Sequence, residues 1–141
     1  MEKFKGKIRK IAMVAVFAVV GFAFASAQTQ WYRATSYAYK FTNSYGNWME
    51  WSDWIKCDIA VKLDLDTDMI VIYSNKTQIY AVYDYNGRAS DGNGGVYAEY
   101  RVIDQDYDKG KIRLRVERNG NSQLYVDFAD VMWVYNVQRT R

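Results

Sequence analysis

Residues 57–65 of the chain read CDIAVKLDL, and their alternation decides the fold class. Every odd-numbered position from Cys57 to Leu65 is apolar, whereas most of the positions between them are charged. Successive side chains of a β-strand point to opposite faces, so a period of two predicts a strand that is buried on one face only. The same period returns at 111–117 and 124–128, which predicts further strands of this kind.

Eight segments of this character occur along the chain, and they are rich in the Tyr, Val, Ile and Trp residues that favour half-buried strands. They lie at about 31–42, 51–65, 69–74, 77–85, 96–103, 111–118, 122–128 and 131–137. No segment between them suits the long helical crossover that a parallel sheet requires. We therefore predict one all-β domain, a single antiparallel up-and-down meander of about eight strands closed into a small barrel, because closure removes the sheet edges. An open or two-layer antiparallel sheet is the alternative.

The hairpin between the third and fourth segments determines which of their side chains face outward. With Asn75-Lys76 as a two-residue loop, Ile72 lies opposite Ile79, and both side chains face the core. The other parity then faces solvent as five side chains that we call the outer patch: Met69, Val71, Tyr73, Tyr80 and Val82. Soluble monomers seldom expose contiguous apolar patches. We therefore predict that the outer patch packs against a second copy of the chain or against another part of the same chain, such as the first segment, or that it binds another protein.

The first 27 residues have the features of a secretory signal peptide. Five basic residues between Lys3 and Lys10 precede an apolar run at 11–24, and the small-residue cleavage site Ala25-Ser26-Ala27 follows. Positions 28–141 would then form the mature domain, exported to the periplasm or the extracellular space. The apolar run is shorter than the roughly 20 residues that span a bilayer, so we expect no membrane insertion after cleavage.

Removal of this leader changes the charge of the chain. The leader contains five of the 19 Lys and Arg residues and one of the 16 Asp and Glu residues, which leaves 14 basic against 15 acidic side chains. A net charge so close to zero gives no electrostatic support for binding a polyanion. We therefore predict no nucleic-acid partner.

The residue types of common catalytic and metal sites are scarce. The chain has no histidine and one cysteine, and no nucleophile, phosphate-loop or dinucleotide motif is present. We therefore predict no catalytic residue and no cofactor, with a carboxylate-based hydrolase as the third functional alternative. Asp104, Asp106 and Asp108 have the spacing of a calcium loop, but Lys109 stands where that loop requires glycine. These aspartates are a weak metal candidate, and a hairpin turn is the favoured interpretation.

The segment WMEWSDW, residues 48–54, contains the other candidate site. If a strand runs through it without a bulge, Trp51 faces the core while Trp48 and Trp54 face outward. Alternatively, a short helical turn places the three rings as a stripe across one end of the barrel. In both arrangements we expect at least one buried ring. The outward rings form, with Glu50, a candidate platform for a glycan, and a structural plug or rim is the other interpretation.

Four stretches of the chain carry a resemblance: WMEWSDW, CDIAVKLDLD, IVIYSNKTQIY and LYVDFADVMWVYNV. Together they resemble a group of small exported all-β proteins of gut bacteria. The resemblance implies export and a compact all-β domain, and it brings no catalytic motif to carry over. In architecture alone, a meander of eight strands is similar to the lipocalin-like and streptavidin-like barrels, from which ligand binding follows only by analogy.

These features predict an exported, non-enzymatic binding or interaction module that uses an exposed aromatic or apolar surface. The alternative is a barrel that binds a small apolar ligand or a glycan. That alternative requires an interior cavity, whereas the inward positions are rich enough in Ile, Val, Leu and Tyr to fill a small barrel.

The position of the leader predicts the first residue of the mature protein. Cleavage after Ala27 would leave Gln28 at the amino terminus. Mass spectrometry of exported protein should give the mass of residues 28–141. An exported form that retains the leader would contradict the assignment, and a heavier amino terminus would indicate a lipid anchor instead.

Overall fold

The structure is a computed structural model that describes residues 29–119 and 121–140, so the predicted leader lies outside it. It is a closed barrel in which each strand pairs antiparallel with the next, and the last strand pairs with the first. The predicted all-β, up-and-down barrel is confirmed, and the open-sheet alternative is wrong. The strands are β1 (Thr29–Phe41), β2 (Ile55–Asp64), β3 (Met69–Ile72), β4 (Gln78–Ser90), β5 (Val96–Ile103), β6 (Lys109–Val116), β7 (Ser122–Asp127) and β8 (Val131–Arg139).

The barrel closes through β1, which pairs with β2 along one side and with β8 along the other. Both ladders shift register between Ala34 and Ser36, where β1 has a bulge. A bulge interrupts the strict alternation and increases the local twist of a strand. As a result Tyr32 and Ala34, which precede the bulge, belong to the core, and Tyr37, which follows it, packs against the core.

Inward-facing side chains fill the middle of the barrel. The largest side chains that are fully buried are Ile70, Ile72, Ile112, Val61, Val102 and Val126. Burying an aliphatic side chain of this size stabilises a fold by about 1.5–3 kcal/mol. Four tyrosines complete the core: Tyr32, Tyr80, Tyr100 and Tyr135. The barrel is therefore packed along much of its axis, and any cavity must lie towards an end.

The upper end of the barrel, as we name it, carries the connections 42–54, 73–77, 104–108 and 128–130. The connection 73–77 is longer than predicted, so the predicted register of β3 with β4 is wrong. Ile70 pairs with Tyr80, and Ile72 pairs with Gln78. Tyr80 and Val82 are each only 3% exposed and belong to the core. Their predicted place in the outer patch is therefore wrong.

The reason for this error is the length of the connection. A two-residue loop was expected, but five residues separate the paired Ile72 and Gln78. Because strand side chains alternate, changing the pairing by one position moves every side chain of β4 to the other face. The observed register places Tyr80 in the core, whereas the predicted one would have placed Ala81 there and filled far less volume. Tertiary packing thus overrides the short-turn pattern.

The corrected register predicts opposite effects for two adjacent residues of β4. Tyr80→Ala should lower the free energy of unfolding by about 3–5 kcal/mol, because it empties a large buried site. Ile79→Ala, on the half-buried outer face, should lower it by about 1 kcal/mol. Chemical denaturation of the two variants would measure both values. A larger loss for Ile79→Ala would show that β4 faces the other way.

Candidate functional site

The upper end of the barrel contains a concavity of about 700 Å³, which we call the mouth pocket. Its walls come from β1, β2 and β8, and its rim includes the connection 73–77. The wall side chains are Tyr37, Tyr39, Phe41, Ile55, Cys57, Ile59, Val131, Trp133 and Tyr135. Most of these side chains are aromatic or aliphatic, so the pocket offers apolar surface to a ligand.

A stack of three aromatic rings fills the neighbouring part of the upper end. The rings of Phe128 and Trp133 are 6.1 Å apart and nearly parallel, and Phe128 also lies 6.2 Å from Tyr80. Gly110 makes room for this stack, because a Cβ atom there would lie 2.8 Å from the Phe128 ring and 2.7 Å from the Asp127 carbonyl oxygen. Phe128 thus packs at β6, and Trp133 lies both in this stack and in the wall of the mouth pocket.

The side chain of Gln78 organises the polar part of the pocket. Its Nε2 donates to Ser74 Oγ at 3.0 Å and to Tyr135 Oη at 3.1 Å. Its Oε1 accepts the Tyr80 hydroxyl at 2.6 Å. The Tyr135 ring in turn lies 6.1 Å from the ring of Tyr37. These contacts connect the rim, β4 and β8, and they hold the polar atoms in fixed positions.

The ionisable groups at this place are held in their neutral forms. Burial raises the pKa of Tyr80, and Tyr135 and Asp104 add to the effect. Burial also raises the pKa of Tyr135, although the hydrogen bond from Gln78 opposes it. The pKa of Cys57 is raised by burial and by Asp58, and its Sγ lies 3.6 Å from the Ala34 carbonyl oxygen. The inner wall is therefore uncharged at neutral pH.

Charged side chains lie at the rim instead. Lys56, Asp58 and Lys76 border the pocket, and all three are exposed. Asp58 pairs with Arg33 at 2.7 Å, in an ion pair that is exposed on both sides. Exposed pairs of this kind contribute little to stability. Charge thus surrounds the opening without entering the apolar interior.

The tryptophan segment differs from both predicted arrangements. Residues 43–54 form neither a strand nor a helix, and the three rings are 40–50% exposed. Met49 donates its backbone N–H to Phe41, and Ser52 donates to Tyr39, so the segment follows β1. The predicted burial of Trp51 in the core is therefore wrong. The β1–β2 ladder ends at Ile55, and the preceding residues turn outward instead of extending β2.

Two of these rings pack on the outer wall of the barrel. Lys40 Nζ lies 5.3 Å from the Trp48 ring and 4.6 Å from the Trp51 ring. Trp51 also meets Tyr125 edge-on at 6.5 Å, and the guanidinium of Arg113 lies 4.4 Å from the centre of the Tyr125 ring. Cation–aromatic contacts of this kind stabilise by about 0.5–2 kcal/mol. The segment therefore has a structural role on the outside of β1 and β7.

The predicted glycan platform is only partly assembled. Trp48 lines an outer groove of about 570 Å³ that also includes Tyr97, Glu99 and Met132. Glu50 and Trp54 are exposed on the same segment. A role of Trp48, Glu50 and Trp54 in glycan binding stays a prediction.

The remaining members of the outer patch keep their predicted orientation. Met69 and Val71 lie half-buried on the outer face, and Tyr73 is 44% exposed. Their neighbours on β4 are Ala81 and Ile79 instead of Val82 and Tyr80. An apolar outer surface is therefore present with a different composition, and its partner role stays a prediction.

The aspartates at 104, 106 and 108 lie in the turn between β5 and β6. The Asp104 carboxylate accepts the backbone N–H of Asp106 at 2.9 Å and that of Asp108 at 2.8 Å. These contacts are those of an Asx-type turn. Within 29–119 and 121–140, no three side chains of the metal-ligating types converge on one point. The weak metal assignment remains without structural support.

The mouth pocket was missed in the sequence. Its β8 residues Val131, Trp133 and Tyr135 share one strand parity, which could have placed them inside. The bulge that turns Tyr37 inward leaves no comparable signal. Alternation also cannot distinguish a filled interior from a hollow one, because both require apolar inward positions.

No helix in the part of the chain that the structure describes is long and apolar enough to cross a membrane. No protein-family model matches the sequence, and neither a curated protein nor a solved structure matches it. The site is therefore interpreted from its own geometry.

The buried tyrosines predict a loss of stability in alkali. Burial raises the pKa of Tyr32, Tyr80, Tyr100 and Tyr135 above the ordinary value of 10.0. Above pH 10 the unfolded chain releases these protons while the folded chain keeps them, so the free energy of unfolding falls as pH rises. Each phenol contributes up to about 1.4 kcal/mol per pH unit.

Denaturant titrations at pH 9 and pH 11 would measure this fall. Tyr100→Phe should make the fall smaller by about 1 kcal/mol, because it removes one such phenol. Tyr107→Phe is the matched control, since Tyr107 is 81% exposed. An equal fall in wild type and Tyr100→Phe would contradict the assignment.

Proposed function

We propose that this protein is a non-enzymatic binding module that takes a small ligand into the mouth pocket. The observation that supports this proposal is a concavity of about 700 Å³ within a closed barrel whose middle is packed. Small-molecule sites typically measure about 300–1,000 Å³ and combine apolar walls with a few fixed polar groups. The mouth pocket has both features, with Gln78 and Tyr135 as fixed polar groups.

The chemistry of the walls favours a largely apolar ligand with at least one flat face. Tyr37, Tyr39 and Trp133 offer ring surfaces on two neighbouring strands. Aromatic rings bind other rings by offset stacking and bind the apolar faces of sugars in the same way. The uncharged interior disfavours a ligand that would bury a charge without a partner. Export of the protein, and its location in the periplasm or outside the cell, remain part of the proposal.

An interaction surface is the second candidate. Val71 and Ile79 lie side by side on the outer face, and the rings of Trp31 and Tyr73 stack at 6.1 Å. This surface would bind a second copy of the chain or another protein. The hydrolase alternative has less support, because Asp104 bonds to its own turn and Asp127 bonds to Arg113 at 2.6 Å.

Binding of a neutral fluorescent probe would test the proposal. N-phenyl-1-naphthylamine should bind wild type with a rise in fluorescence, because the dye leaves water for an apolar pocket. Cys57→Phe should weaken the affinity at least tenfold, because the added ring occupies the pocket. Ala60→Phe is the matched control, since Ala60 is exposed on the outer face of the same strand.

Thermal unfolding would establish that both variants fold. If Cys57→Phe fails to fold, Ile55→Trp fills the wider rim of the same pocket and replaces it. Undiminished probe binding in a folded variant with a filled pocket would show that the probe binds elsewhere. No probe binding by wild type would remove the support for an apolar ligand.

A further inference from the structure

The hydrogen bonds of the mouth pocket have a fixed direction. Ser74 Oγ donates its one hydrogen to the Lys76 carbonyl oxygen at 2.8 Å. The oxygen of Ser74 can then only accept, so the Gln78 amide atom 3.0 Å away must be the nitrogen. This contact settles the orientation of the Gln78 amide, whose two ends have the same shape.

The same reasoning gives the hydroxyl of Tyr135 a free hydrogen. Because Gln78 Nε2 is a donor, Tyr135 Oη accepts at 3.1 Å and keeps its own hydrogen for another partner. The other end of the amide is occupied by the hydroxyl of Tyr80. Within residues 29–119 and 121–140, the other polar group beside this hydroxyl is the Trp133 N–H, which is also a donor, so no acceptor takes the Tyr135 hydrogen.

The neighbouring Trp133 side chain offers this hydroxyl no acceptor. The Trp133 Nε1 atom is buried, and its N–H is a donor that lies close enough to Tyr135 Oη to favour the ionised form of that hydroxyl. Because this atom is buried, a ligand in the pocket does not reach it. Trp133 and Tyr135 both line the mouth pocket, which is therefore left with one donor in need of an acceptor, the Tyr135 hydroxyl.

This donor selects a chemical class of ligand. A carbonyl oxygen is an uncharged acceptor that can take this hydrogen. A carboxylate could do the same, but its charge would be buried among aromatic rings, while the nearest lysines stand at the exposed rim. We propose that the mouth pocket selects uncharged ring compounds with a carbonyl oxygen that accepts a hydrogen bond from Tyr135 Oη. This inference rests on the proposed function of the pocket.

Three naphthalenes of similar size would test the inference. They are 2-acetylnaphthalene, which has the carbonyl, 2-isopropylnaphthalene, which has the same shape without it, and 2-naphthoate, which is charged. One neutral hydrogen bond contributes about 0.5–1.5 kcal/mol, so wild type should bind the ketone about tenfold more tightly than the hydrocarbon. The ketone should also bind more tightly than the carboxylate. Titration calorimetry would measure the three dissociation constants.

Two variants test whether the Tyr135 hydroxyl causes the preference for the ketone. Tyr135→Phe removes the donor hydroxyl and keeps the ring, so the ketone should lose its advantage while the hydrocarbon keeps its affinity. Tyr107→Phe is the matched control, because it removes a hydroxyl from an exposed ring of the connection 104–108 that does not line the pocket. If Tyr135→Phe fails to fold, Gln78→Met removes the amide that fixes the direction of the Tyr135 hydroxyl and should reduce the preference.

The outcomes separate the two proposals. Equal affinity of wild type for the ketone and the hydrocarbon would overturn the carbonyl inference and leave the apolar pocket in place. A preference that survives in Tyr135→Phe would overturn it as well, and tightest binding of 2-naphthoate would assign the site to anions. If wild type binds none of the three compounds, the proposed function fails and the inference fails with it.

Discussion

Every feature of this molecule depends on the closure of β1 against both of its neighbours. A sheet of eight strands that remained open would expose two edges and could not enclose its Ile, Val and Tyr side chains. The bulge between Ala34 and Ser36 gives β1 two different faces along its length. Below the bulge its inward residues are Tyr32 and Ala34 of the packed core, and above it Tyr37 faces the pocket. One extra residue thus divides the barrel into a filled part and a hollow part.

Much of the fold could be read from alternation, because strands with one buried face repeat every two residues. The segment at 57–65 and its equivalents predicted all eight strands and the closed meander. The register in which the strands pair was harder to predict than the strands themselves. The connection before Gln78 is longer than the two-residue loop that its polar sequence suggests, and the odd change in pairing placed Tyr80 on the wrong face. Loop length depends on contacts such as that of Ser74 with Lys76, which alternation does not encode.

The site was harder to predict than the fold for a physical reason. The sequence offered the tryptophan segment as a candidate site, yet Trp48 and Trp51 both pack around Lys40 on the outer wall. The residues of the mouth pocket are ordinary inward-facing members of their strands, and they differ from core residues only in what lies opposite them. Gly110, for example, lets the Phe128 ring pack against Trp133, a contact that alternation does not encode.

The packed middle of the barrel closes the inner end of the mouth pocket. In the proposed function, a ligand would therefore leave through the opening by which it entered. The turn at 73–77 borders that opening, and it contains Ser74, which orients Gln78. A movement of this turn that widened the exit would also break the contacts that direct the Tyr135 hydroxyl. In the proposed function, release of the ligand and loss of its contact with Tyr135 would therefore occur together.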